Sequence, residues 1–182
     1  EIEIGLIVEH FRNHEVCWVT EIDSSDQVTI ADAGGTNSKS ISKGFFAEHY
    51  RKVPENGLKA KAFIDVAQLY DWVSSAPLKL LQSVLVDHSG PDPATEKDIK
   101  LKLERFLDNN FKWKDWWQRA TQLTEGHPGT IRKRGKGWTL PPNPVDPPEI
   151  PLPPKTVVEK PKVQPDRTLK ASPKASKSKE AT

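Results

Sequence analysis

His10, His14 and Cys17, with Glu9 or Glu15 beside them, have the residue types of a zinc site. Their spacing argues against one. The stretch reads as a strand and its turn, where side chains alternate faces, so His10 and His14 share a side while Cys17 faces away. The paired Cys or His sets of a structural zinc site are lacking. Cys17 as a nucleophile would need a depressed pKa and an orienting base; within Val16-Cys17-Trp18-Val19 it reads instead as a small buried hydrophobe. Gly34-Gly35 is a turn rather than a phosphate loop, and spacing assigns no triad and no paired carboxylates. The chain therefore reads as having no active site, with no catalytic, cofactor-binding or metal residues expected.

The tryptophans are a stronger signal. Three of the six fall in FKWKDWWQRA. One reading is core packing of a small helical bundle. The other places the indole of Trp116 or Trp117 and the guanidinium of Arg119 at a partner surface, since Trp and Arg are frequent interface anchors. Charge adds to the second. Residues 1–58 carry a net −5, residues 59–111 a net −1, residues 112–140 a net +5 and the remainder +3, within a total of +2. The folded part is polarised, acidic at its start and basic at its end. Lys112, Arg119, Arg132, Lys133, Arg134 and Lys136, with Trp116 and Trp117, form the candidate partner-binding set; the alternative is a solvated face and a turn made soluble by charge.

These residues need elements to position them. From Ile2 to Val53 short segments rich in β-branched residues alternate with turn residues, as in GLIVEH, VCWVTEID and QVTIA, followed by the turn AGGTNS and a strand around Lys39 to Lys43. Four or five short strands in residues 1–56 predict a small SH3-like or Tudor-like β-barrel, whose closure hides its edges and which should dock on the helical region after it. After Pro54 the period changes to about 3.6. AFIDVAQLYDWVSS predicts one helix with Val66, Leu69, Tyr70 and Val73 on its inner face. PLKLLQSVLVDH, apolar nearly all round, predicts a buried helix with Pro77 in its first turn and Ser74 or Ser75 as cap. Thr95 and Asp98 resemble a capping box for a third helix with Ile99, Leu103, Phe106 and Leu107 inward. A fourth, from Trp113 to Glu125, turns Trp113, Trp116, Trp117, Ala120 and Leu123 to the core. TIRKRGKGWTL predicts a terminal hairpin with Arg134-Gly135-Lys136-Gly137 at its tip. The expected class is α+β: a β domain over 1–56, a four-helix domain with a terminal hairpin over 57–140, and a disordered Pro/Lys-rich tail over 141–182.

The tail holds eleven of the sixteen prolines and no aromatic residue. It buries too little apolar surface to offset chain entropy and reads as a semi-rigid spacer; PEIPLPPK also matches a PxxP ligand pattern. No apolar run approaches the roughly 18 residues that cross a bilayer, so a soluble protein is expected. One cysteine excludes an internal disulfide framework and points to a reducing compartment, the cytoplasm. The absence of methionine suggests a piece of a longer chain.

In this order the elements resemble an accessory module placed upstream of the catalytic coiled coil in long bacterial Gre-type transcription elongation factors. The matching stretches are GLIVEH through SISKGFF, LKAKAFIDVAQLYDWVSSAPLKLLQSVL, EKDIKLKLE, FKWKDWWQRATQL and GTIRKRGKGWTL, most of residues 4–140. The most specific part is Ile99-Lys100, then Trp113, Trp116-Trp117 and Arg119, then a short hairpin. The family's glycine-rich first hairpin is replaced by Asn13-His14-Glu15-Val16-Cys17-Trp18, and no acidic-tipped coiled coil is present, so transcript cleavage carries over to no residue. The resemblance implies a non-enzymatic module that binds RNA polymerase or an associated protein, with no membrane partner. The alternative is a nucleic-acid-binding protein using the basic stretch from Lys112 to Lys136 with Trp116 or Trp117 as a stacking platform. An enzyme of another type would show itself as a deep pocket with converging polar groups.

Overall fold

Alternating β-branched residues give five strands: β1 (Ile7–His10), β2 (Val16–Ile22), β3 (Gln27–Ala31), β4 (Ser38–Ser42) and β5 (Tyr50–Lys52). The computed structural model describes residues 2–147 except 89 and 109; of the disordered tail expected over 141–182, residues 141–147 are instead placed, with Pro141 and Pro147 buried and the Val145 N–H bonded to the Gly129 carbonyl at 3.1 Å, and the rest lies outside the described residues. All the pairings are antiparallel, in the order β4-β3-β2-β1-β5. Among the described residues no ladder joins β4 to β5, so the expected closed barrel is not formed. The faces are covered instead. Val8, Cys17, Val19, Val28 and Ile30 point to one side and pack with Phe46 and Tyr50. Ile7, Val16 and Trp18 point to the other, against Val53, Ala60 and Phe63. The outer strand β4, Ser-Lys-Ser-Ile-Ser, is mostly exposed, and its polar residues make a poor template for another chain.

Phe46 comes from a helix the sequence pattern does not show, α1 (Lys43–His49), where Ser42 accepts a hydrogen bond from the Phe45 N–H. Seven residues are too few to display a period.

The helix expected over AFIDVAQLYDWVSS is two: α2 (Leu58–Ile64) and α3 (Val66–Ser75). Asp65 separates them. Its N–H closes α2 on the Lys61 carbonyl while its carboxylate accepts from the Gln68 N–H and caps α3. The inner face of α3 is Leu69 and Trp72, with Val73 partly buried against the same core, whereas Val66 and Tyr70, expected inward, are 47% and 42% exposed. Next, α4 (Pro77–Val86) is the buried helix, with Leu78, Leu80, Leu81, Val84 and Leu85 all covered. Its N-cap is Ala76; the hydroxyls of Ser74 and Ser75 donate back to the Asp71 carbonyl rather than capping it.

The capping box forms as the sequence indicates: Thr95 and Asp98 exchange hydrogen bonds at the start of α5 (Glu96–Leu103), turning Ile99 and Leu103 inward. Then α6 (Trp113–Gly126) leads to a second sheet. There β6 (Ala94–Thr95), β7 (Arg132–Arg134) and β8 (Gly137–Thr139) lie in the order β6-β8-β7, so the terminal hairpin gains a third strand. Gly137 makes this possible. A Cβ there would lie 2.8 Å from the Pro93 carbonyl oxygen and 2.9 Å from that of Ala94.

Sheet and helices are joined by charge as well as by apolar contact. Glu9, 2% exposed, receives Lys59 Nζ at 2.6 Å and Arg51 Nη2 at 2.8 Å, and His14 Nδ1 stands 3.0 Å away. Burial pushes the Glu9 carboxyl up, but the bonds from Lys59 and Arg51 outweigh it and hold the group below the ordinary glutamate value. Gly57, the N-cap of α2, has no side chain to offer. Asp87, just past α4, supplies the missing acceptor: its Oδ2 takes the Lys59 N–H at 2.8 Å. Its Oδ1 is buried without a partner, and burial pushes this carboxyl up.

Candidate partner-binding site

Positions i, i+3, i+4 and i+7 share one face of a helix. In α6 these are Trp113, Trp116, Trp117 and Ala120, and the face packs against the helical core. Trp113 and Trp117 stack at 5.0 Å with 17° between planes, Trp113 and Trp116 lie 5.6 Å apart, and Phe111 closes on Trp116 at 5.7 Å. Trp138, from β8, meets Trp117 edge to face at 4.7 Å. The indoles thus form one continuous cluster. Trp116 is 4% exposed, so its ring is a core element and is not available to a nucleobase. Trp117 is half-buried between Trp113 and Trp138. The indole N–H groups of Trp116 and Trp138 are buried without acceptors.

The outer side of this cluster carries the basic residues. Arg132, Lys133 and Arg134 make up β7 and are all exposed; Gly135 at φ +60° turns the chain, and exposed Lys136 follows. The Lys133 ammonium lies 5.5 Å from the Trp138 ring centroid. Because β8 is bonded to β6 on one side and β7 on the other, β7 is the outer strand of its sheet. Beside it runs a shallow groove of about 380 Å³, lined by Thr121, Thr124, Glu125, Pro128 and Ile131 together with Arg132, Lys133 and Trp138.

The structure therefore brings together Arg132, Lys133, Arg134 and Lys136 on one hairpin. The groove lining includes none of Lys112, Arg119, Trp116 and Trp117. Lys112 is exposed at the N-cap of α6, and Arg119 is half-buried. None of these six cations forms an ion pair among the described residues. Sequence reasoning missed Thr121, Thr124 and Pro128, which carry no charge or aromatic signal. Their place follows only from β7 folding back along the end of α6.

Among the described residues no group of three or more His, Cys, Asp or Glu side chains could hold a metal ion, and no helix is long and apolar enough to cross a membrane. No family model, no curated protein and no solved structure matches the chain. The functional reading stands on the geometry of these residues.

Proposed function

We propose that this chain is a non-enzymatic, cytoplasmic interaction module of the transcription machinery, whose partner is RNA polymerase or a protein associated with it. One observation carries the reading: an exposed strand of three consecutive cations at a sheet edge, backed by a rigid tryptophan cluster and bordered by a groove. An outer strand offers backbone N–H and C=O groups to an extended segment of another protein. Arg132, Lys133 and Arg134 favour an acidic one and disfavour a basic one. The elongation-factor resemblance supplies the identity of the partner. An SH3-like or Tudor-like description of the first sheet belongs to the same proposal; its support is the meander order with one short helix before the returning strand β5.

Binding of the full 182-residue chain to purified RNA polymerase tests this. Binding is expected that weakens with salt by well under the hundredfold of a phosphate interface and is lost on replacing Arg132, Lys133 and Arg134 with glutamate, with the melting temperature unchanged. Failure of the folded chain to bind polymerase overturns it. The exposed cations also favour a second reading, a nucleic-acid surface. Affinity for an oligonucleotide that falls about a hundredfold or more between 50 and 200 mM salt would support that reading instead.

A further inference from the structure

Away from the hairpin, four cations border one cleft of about 270 Å³: Arg51 from β5, Lys59 from α2, Lys102 from α5, and Arg105 just beyond α5. Leu58 and Phe106 form its apolar wall, and Asp87 also lines it. A neighbouring depression of about 160 Å³ shares Arg51, Lys59 and Asp87 and adds Lys52 and Glu9.

The carboxylates present do not balance this charge. Glu9 takes up Arg51 and Lys59, while Lys102 and Arg105 form no ion pair with a carboxylate among the described residues. Burial pushes the Lys102 amine below the ordinary lysine value, and although Asp87 pulls it back, Lys59 and Arg105 add to the fall. All four cations line the same cleft. Four cations against the two carboxylates Glu9 and Asp87 leave the cleft with an excess of positive charge.

The geometry also selects the anion. Buried Glu9 fixes the directions of Lys59 and Arg51, so less side-chain freedom is lost when a ligand binds. Arg51 already places Nε and Nη2 on Glu9, so the fork for two oxygens of a phosphate is that of Arg105, and ammonium groups supply point charges to the others. Phe106, partly buried at the cleft wall, gives an attached organic group an apolar surface. We propose that this cleft binds a small phosphate monoester, its phosphate among Arg51, Lys59, Lys102 and Arg105 and its organic group against Phe106. The proposal is independent of the partner assigned to the hairpin.

Calorimetric titration of the full chain with phenyl phosphate, adenosine monophosphate and inorganic phosphate at low ionic strength tests it. At least one ester should bind about tenfold or more tightly than inorganic phosphate. The double variant Lys102→Gln, Arg105→Gln should lose at least about tenfold of that affinity, equal to about 1.4 kcal/mol, with an unchanged ligand-free melting temperature. The proposal fails if neither ester binds at concentrations up to about 10 mM, a range that covers millimolar affinities. It fails equally if both esters bind no better than inorganic phosphate, or if the double variant binds as the parent does.

Discussion

The ammonium of Lys59 lies 2.6 Å from Oε1 of Glu9, a residue fifty positions earlier in the chain. The contact ties the first strand of the sheet to the first turn of α2. Replacing Glu9 with glutamine keeps the shape and removes the counter-charge from Lys59 and Arg51. Breaking a fully buried pair costs about 3–5 kcal/mol. Because the Arg51 side chain is 55% exposed, the expected loss is nearer about 2 kcal/mol, read from the urea midpoint. The pH dependence has a definite sign. The folded carboxyl holds its proton less tightly than the unfolded one, so its contribution is complete above the unfolded glutamate value and is lost as pH falls through the lower folded value. Glu9→Gln should therefore show a shallower acid loss than the parent, and an identical profile would contradict this account.

Gly57 is required by space rather than by backbone conformation. Its φ of −77° suits any residue, but a Cβ would overlap Asp87 Oδ1 and lie 2.8 Å from Asp87 Cγ. Gly57→Ala should destabilise by about 2–3 kcal/mol. Asp87→Ala, which removes the cap on Lys59, should cost about 1 kcal/mol. The double variant should be more stable than the sum of the two predicts, since the clash and the cap involve the same carboxylate. Strict additivity in thermal unfolding would place the clash on the Pro54 carbonyl instead.

Trp117 and Arg119 separate packing from recognition. Truncating Trp117 to alanine removes its stack on Trp113 and its edge contact with Trp138. A loss of about 2 kcal/mol is expected, below the range for fully buried aromatics. Arg119→Ala should change stability by less than about 1 kcal/mol, because the side chain makes no ion pair among the described residues. Melting curves of the two variants decide this; a large drop for Arg119→Ala would assign it to the core.

Cys17 is 2% exposed, and burial raises its thiol pKa above the ordinary value. Both effects suppress the thiolate. Labelling by a disulfide reagent at neutral pH should therefore be slow in the native chain and proceed only through opening of the first sheet. Its rate should rise in moderate urea. Fast labelling in native buffer would show that the sheet face is open.

Features written in a few adjacent residues were legible in the sequence: the Thr95–Asp98 box, the apolar surround of α4, the alternation in β2 and β3, and the turn at Gly135. Those depending on phase or on distant partners were not. One aspartate, Asp65, divides a continuous apolar pattern into two helices, and Trp72 rather than Val66 or Tyr70 completes the inner face of α3. Glu9 looks like one of the acidic residues that give the first 58 their negative charge, yet it is enclosed. Lys59, Lys102 and Arg105 belong to a stretch of almost balanced charge, and only the packing of α2 and of α5 against α4 places them with Arg51.

The placement of the indoles has a spectroscopic consequence. Trp72, Trp113, Trp116, Trp117 and Trp138 all pack in the helical core, whereas Trp18 lies on β2 with its ring 5.1 Å from Phe63 of α2. Five of the six indoles of the parent protein thus lie in the second half of the fold. A variant keeping Trp18 as its sole fluorophore would instead report separation of the sheet from α2.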